Sequence, residues 1–125
     1  MLHAPVMVNV AIAAEPPPEV ALSLTTREEM EAYIRKEYPQ RAEEIIKVIA
    51  CESDFNPQAI NRNDPNGGSK GLGQFQDATF VRYSKLAGIN SADVWNPKDS
   101  IDTVIYMFKI GAQSQWSCYN LLYGV

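Results

Sequence analysis

The stretch RAEEIIKVIACES, residues 41–53, predicts the central helix of the fold. Apolar residues cover most of its circumference towards its end, a pattern that is typical of a helix packed on several sides. Glu52 follows these apolar residues directly. Burial there disfavours a charged carboxylate, and the negative end of the helix dipole acts in the same direction. Glu52 is therefore a candidate general acid, and the alternative is an ordinary exposed glutamate at a helix end.

Three further helices are predicted around this stretch. A Thr-x-x-Glu capping box opens a helix over residues 26–37. Asp77 is predicted to cap a helix over residues 78–87, and an Asn-Pro pair opens the last long helix, roughly residues 98–113. Residues 114–125 are an aromatic-rich ending for which no element is predicted.

The segment between the second and third helices has a different character. Residues 54–76 are rich in Asn and Gly, and Asn66-Gly67 is a turn signal that favours a small hairpin. The sequence therefore predicts a mainly α domain with one long Gly/Asn-rich loop or small hairpin. Backbone that carries glycine can approach a ligand closely, so this loop is a candidate binding wall.

Composition excludes several functional classes. The chain of 125 residues fits one domain, and its net charge of −4, without any basic run, argues against a nucleic-acid partner. No stretch is long and apolar enough to span a membrane. The cysteines, Cys51 and Cys118, and the single histidine, His3, are too few for a zinc site, and we expect neither metal nor cofactor. The two cysteines are either buried thiols or one disulfide.

Residues 1–24 are predicted to be a tail and linker, with the folded domain over residues 25–125. Residues 4–14 are apolar and end in small residues before a Glu-Pro run, which is similar to the core of a signal peptide. No Lys or Arg precedes them, so a disordered tail is the alternative.

Two motifs resemble those of one enzyme family. ESDFNPQAIN, residues 52–61, is similar to the glutamate motif of lytic transglycosylases of the lysozyme-like superfamily. GLGQF, residues 71–75, resembles their second motif, usually Gly-Leu-Met-Gln, with Gly73 at the place where Met is common. The third motif, Ala-Tyr-Asn-Ala-Gly, is missing in full form, and residues 118–120 are a shortened relative of it.

The resemblance implies an α+β lysozyme-like fold whose loop or hairpin lines a glycan cleft. It implies that the partner is the glycan strand of peptidoglycan and that the domain is secreted or resides in the cell envelope. We expect a monomer. In this topology Cys51 and Cys118 both belong near the cleft, and the resemblance implies that they form a disulfide.

The resemblance also implies a reaction. Glu52 would act first as the acid and then as the base that cleaves the β-1,4 bond between N-acetylmuramic acid and N-acetylglucosamine, leaving 1,6-anhydromuramic ends without a cofactor. The substrate-binding residues carried over from the motifs are Ser53, Gln74, Phe75 and Tyr119. Trp95 and Trp116 are expected to pack in the core, although either ring could stack on a sugar.

Two alternative functions remain open at this point. A lysozyme-type hydrolase (muramidase) normally needs a second carboxylate, and the available residues are Asp54, Asp64 and Asp77. The sequence places none of them for this role, because Asp64 lies in the loop and Asp77 is explained as a helix cap. The other alternative is a glycan-binding domain without catalytic activity, which the retained Glu52 disfavours.

Overall fold

A computed structural model describes residues 24–124, which fold into five helices and one two-stranded sheet. In chain order the elements are α1 (Arg27–Glu37), α2 (Ala42–Ser53), β1 (Ile60–Asn61), β2 (Ser69–Lys70), α3 (Asp77–Leu86), α4 (Pro97–Lys109) and α5 (Ser117–Tyr123). Single 3₁₀ turns, Pro39–Arg41 and Gln113–Gln115, precede α2 and α5. The predicted mainly α fold is confirmed.

The first helix begins where its capping box is predicted. The Thr26 hydroxyl accepts a hydrogen bond from the Glu29 amide at 3.1 Å, and the Glu29 carboxylate accepts one from the Thr26 amide at 3.0 Å. These bonds satisfy two of the amides that a helix start leaves without partners. The predicted tail lies outside the described residues, apart from Leu24, which is only 7% exposed and packs in the core.

Helix α2 is the centre of the fold, as its sequence predicts. It contacts α1, α4 and α5. Ile45, Val48 and Ile49 are completely buried on one side of the helix, whereas Lys47 and Cys51 on the other side are exposed. Burial of the three apolar side chains stabilises the fold by roughly 1.5–3 kcal/mol each, by the usual surface-area relation. The end of α2 is consequently fixed in position by the core.

Two helix boundaries differ from the prediction. Gln76 occupies the N-cap position of α3, so the prediction that Asp77 caps this helix is wrong. The Asp77 carboxylate instead pairs with Lys70 Nζ at 2.9 Å. Helix α4 ends at Lys109 rather than near residue 113, because Gly111 takes a φ of +77° and the amide of Ala112 closes the helix end.

The predicted hairpin is present, with a longer connection than a two-residue turn. Ile60 pairs with Lys70 and Asn61 with Ser69 in antiparallel register. Residues 62–68 connect the two strands, and Asn66, Gly67 and Gly68 all have positive φ. The hairpin brings residues from the middle of the loop back towards the end of α2.

A disulfide joins Cys51, near the end of α2, to Cys118 in α5, with the two Cα atoms 6.1 Å apart. Helix α5, which the sequence did not predict, has no fully buried residue of its own. Its attachment to the domain therefore depends on this cross-link, on the ring contact and hydrogen bonds of Tyr119, and on Trp116, the residue before the helix.

Removal of the disulfide tests this dependence. The cross-link spans 67 residues, and the chain-entropy model gives a loop of this length about 4 kcal/mol of stability. We expect the Cys51→Ser, Cys118→Ser double variant to lose about 2–4 kcal/mol in the free energy of unfolding, measured by urea titration. The wild-type protein in excess dithiothreitol should lose a similar amount. Equal urea midpoints for the oxidised wild type and the variant would contradict the expectation.

Candidate active site

A cleft of about 310 Å³ lies where the end of α2, the hairpin and the segment before α5 meet. Its wall is mostly polar and includes three glutamine side chains and three hydroxyl groups: Gln74, Gln76, Gln115, Ser69, Thr79 and Ser117. Two carboxyl groups, Glu52 and Asp64, face the same cleft. Such a wall offers hydrogen bonds to a ligand that carries hydroxyl and amide groups.

Glu52 sits half-buried in this wall, in the last turn of α2. It follows the buried Ile49 by three residues, so it lies beside the core-facing side of the helix. Burial is the main cause that raises the pKa of Glu52 above its usual value, and the charge of Asp64 adds to the effect. A long hydrogen bond from the Cys118 amide to Glu52 Oε2, 3.4 Å, acts in the opposite direction. The net result is a carboxyl that keeps its proton to a higher pH than an ordinary glutamate.

The turn after β2 forms a rigid second side of the cleft. Lys70 and Phe75 exchange both backbone hydrogen bonds at 2.9 Å. The Gln74 side chain donates one amide hydrogen to the Ala59 carbonyl at 3.1 Å and the other to the Gly71 carbonyl at 3.0 Å. Since both amide hydrogens hold the turn together, the side-chain oxygen of Gln74 is the atom that remains to accept a hydrogen bond from a ligand.

Gly73 explains the departure from the common form of the second motif. A Cβ atom at this position would lie 2.5 Å from the Phe75 ring, which occupies the space that a side chain at position 73 needs. The Gly73 carbonyl accepts a hydrogen bond from Trp116 Nε1 at 2.7 Å. Trp116 is buried, as its predicted core role requires, and its ring also lines the cleft.

The structure brings some of the predicted site residues together and separates others from them. Gln74 and Phe75 line the cleft with Glu52, whereas Ser53 and Tyr119 lie outside its wall. Ser53 is buried, and its hydroxyl donates to the Ile49 carbonyl at 3.1 Å.

Tyr119 instead connects α5 with the start of α2. Its hydroxyl accepts from Arg41 at 3.1 Å and donates to Glu44 at 3.4 Å. The substrate-binding roles of Ser53 and Tyr119 therefore stay predictions.

The position of Asp64 differs from the one that the sequence predicts. We expected a loop residue that is not placed for the site, yet its carboxyl lines the same cleft as Glu52. Its Oδ2 accepts a hydrogen bond of 2.6 Å from the hydroxyl of Ser69, a buried residue that the sequence analysis did not single out. The predicted hairpin is the feature of the sequence that could have placed Asp64 in the cleft. Pairing of Asn61 with Ser69 folds the intervening loop back onto the cleft.

A mainly α domain with a half-buried glutamate beside a polar cleft has the architecture of lysozyme-like proteins. The family model named Transglycosylase SLT domain matches residues 29–117, so this chain belongs to that family. No curated protein and no solved structure gives a significant match. The family assignment supports glycan cleavage of the lytic transglycosylase type, with peptidoglycan as the substrate.

Two further properties concern residues 24–124 only. In this part of the chain no helix has both the length and the apolar character needed to cross a membrane. The same residues contain no group of three or more His, Cys, Asp or Glu side chains that could hold a metal ion.

The steric role of Gly73 can be tested by one added methyl group. Unlike the other glycines of the chain, Gly73 does not have a positive φ, so alanine is compatible with its backbone. We expect Gly73→Ala to lower the free energy of unfolding by about 1–3 kcal/mol through overlap with the Phe75 ring. In a Phe75→Leu background the same change should cost less. Equal losses in the two backgrounds, measured by urea titration, would contradict this explanation.

The raised pKa of Glu52 also predicts how stability depends on pH. Because the folded pKa lies above that of the unfolded chain, the folded protein holds more protons between the two values, and its stability falls as pH rises through that range. Glutamine does not ionise. We therefore expect Glu52→Gln to gain stability relative to the wild type between about pH 4 and about pH 7.

Urea titrations at both pH values measure this change. Glu28→Gln, which makes the same chemical change on the exposed surface of α1, serves as the reference. A relative stability of Glu52→Gln that decreases with pH would show that the burial of Glu52 does not disfavour its charge.

Proposed function

We propose that this domain is a peptidoglycan lytic transglycosylase that cleaves the β-1,4 bond between N-acetylmuramic acid and N-acetylglucosamine, with Glu52 as its general acid and base. The observation that carries the proposal is a half-buried Glu52 of raised pKa in the wall of a polar cleft. Family membership supports the same class of reaction.

In the first step Glu52 donates its proton to the bridging oxygen. The bond between that oxygen and C1 of the muramic ring breaks, its electron pair leaves with N-acetylglucosamine, and positive charge develops on the ring. Burial favours the protonated starting form of Glu52, and the Cys118 amide stabilises the carboxylate that remains after the transfer.

In the second step the same carboxylate takes the proton of the C6 hydroxyl. The C6 oxygen bonds to C1, which gives a 1,6-anhydromuramic end, and Glu52 returns to its protonated form. All atoms are accounted for without water or a cofactor.

The remaining wall supplies binding contacts in this proposal. The Gln74 oxygen accepts a hydrogen bond from a sugar hydroxyl or N-acetyl amide, and Phe75 and Trp116 contribute apolar surface to the wall. The hydrogen bonds of Ser53 and Tyr119 to Ile49 and Glu44 of α2 support a positioning role for these two residues rather than direct contact with the sugar.

The substrate and the cross-link together support an extracytoplasmic location. Peptidoglycan lies outside the cytoplasm, and disulfides persist in oxidising compartments. We propose a domain that is secreted or held in the cell envelope and that acts as a monomer.

Hydrolysis is the second candidate function, and the position of Asp64 favours it. A lysozyme-type hydrolase uses a second carboxylate in the same cleft as its acid, and Asp64 lines the cleft with Glu52. The two reactions differ in their products, because hydrolysis leaves a reducing end that is heavier by one water.

The test is digestion of purified peptidoglycan by the wild type and by Glu52→Gln, followed by mass spectrometry of the muropeptides. We expect 1,6-anhydromuramic products from the wild type, and from Glu52→Gln a rate lower by at least about 100-fold, because it cannot transfer the proton. Glu28→Gln is the matched control and should retain the wild-type rate.

Other outcomes lead to other functions. Reducing ends in place of anhydro ends would identify a hydrolase. Wild-type protein that binds peptidoglycan without releasing products would identify a glycan-binding domain.

A further inference from the structure

We infer that Asp64 is a second catalytic residue of the cleft, whose carboxylate stabilises the positive charge that develops on the sugar ring. The inference rests on the proposed function and adds to it, since the proposed reaction uses a single carboxyl.

The carboxyl group of Asp64 is held in place although it belongs to a loop. Its Oδ2 accepts from the Ser69 hydroxyl at 2.6 Å, and Ser69 is itself buried in β2. The Asp64 amide donates to the carbonyl of Asn61, the β1 residue that pairs with Ser69, at 3.4 Å. One strand of the hairpin therefore holds the backbone of Asp64, and the other holds its carboxyl group in the wall.

The charge of Asp64 has no cationic partner in the cleft. Among the described residues, the wall contains two titratable groups, Glu52 and Asp64, and no lysine or arginine. The basic residues of the hairpin, Arg62 and Lys70, lie outside the wall, and Lys70 pairs with Asp77 at 2.9 Å. With Glu52 protonated, the cleft carries the negative charge of Asp64 alone, before any substrate binds.

This arrangement suits the charge changes of the reaction. When Glu52 gives its proton to the bridging oxygen, the ring becomes positive and Glu52 negative, and the fixed carboxylate of Asp64 lies in the wall of the same cleft. A preorganised charge in a partly dehydrated site interacts more strongly than it would in water. In the second step the C6 oxygen bonds to C1 and its proton returns to Glu52. Asp64 forms no bond and takes no proton, so the anhydro product is unchanged.

Asp64 also acts on Glu52 itself. Repulsion between the two carboxyls contributes to the raised pKa of Glu52, because a negative neighbour favours the protonated form. Removing the charge of Asp64 lowers the pKa of Glu52. The upper limb of the pH–rate profile, where activity is lost as Glu52 ionises, then moves to lower pH.

The test is Asp64→Asn, which removes the charge and keeps an oxygen that accepts the Ser69 hydrogen bond. Asp54→Asn is the matched control, because the Asp54 side chain is 90% exposed and its φ of 52° suits asparagine. Release of anhydromuropeptides is measured over a range of substrate concentration and pH. We expect the saturated rate of Asp64→Asn to fall by about 10- to 100-fold, with little change in half-saturating substrate and with the upper pH limb shifted down. Asp54→Asn should behave as the wild type.

A wild-type rate and pH profile for Asp64→Asn would overturn the inference and leave the proposed function standing. A rise in half-saturating substrate with an unmoved pH limb would also overturn it, since Asp64 would then bind substrate only. If circular dichroism shows that Asp64→Asn is unfolded, Asp64→Ser is the second neutral variant, judged by the same criteria. No products from the wild type would overturn the inference and the proposed function together.

Discussion

The packing of α2 in the core is the constraint on which the rest of this structure depends. The same helix provides completely buried core residues, such as Ile49, and the carboxyl of Glu52 three residues later. Because the core fixes the helix, the backbone of Glu52 is held at the cleft, and its side chain is half-buried there. The cost of burying that group is consistent with a role in chemistry, since perturbed carboxyls concentrate at functional sites.

Three segments that are distant in sequence meet at this helix end, and each is attached by a different interaction. The disulfide brings Cys118 and its amide to Glu52. The Trp116 indole bonds to the Gly73 carbonyl, which ties the approach to α5 to the turn after β2. The hairpin brings Asp64 into the wall of the same cleft. A cleft built in this way is stabilised by interactions that also define its shape.

Local signals in the sequence predicted the parts of the fold that local interactions determine. The capping box at Thr26 lies within one turn of chain, and the apolar pattern of α2 is read from consecutive residues. Helix α5 and the position of Asp64 were not predicted, because both depend on contacts that only the folded chain makes. The two motifs predicted Glu52, Gln74 and Phe75 as neighbours, and Asp64 lies outside those motifs.

A residue that serves as acid and then as base needs surroundings that stabilise neither its protonated form nor its ionised form too strongly. Burial and the charge of Asp64 favour the protonated form of Glu52, whereas the Cys118 amide favours the ionised form. Burial alone would hinder release of the proton to the bridging oxygen, and the amide alone would leave Glu52 ionised before substrate binds. Because Cys118 is cross-linked to the residue before Glu52, the disulfide holds the opposing amide next to the carboxyl. The cross-link therefore belongs to the proposed chemistry as well as to the stability of the fold.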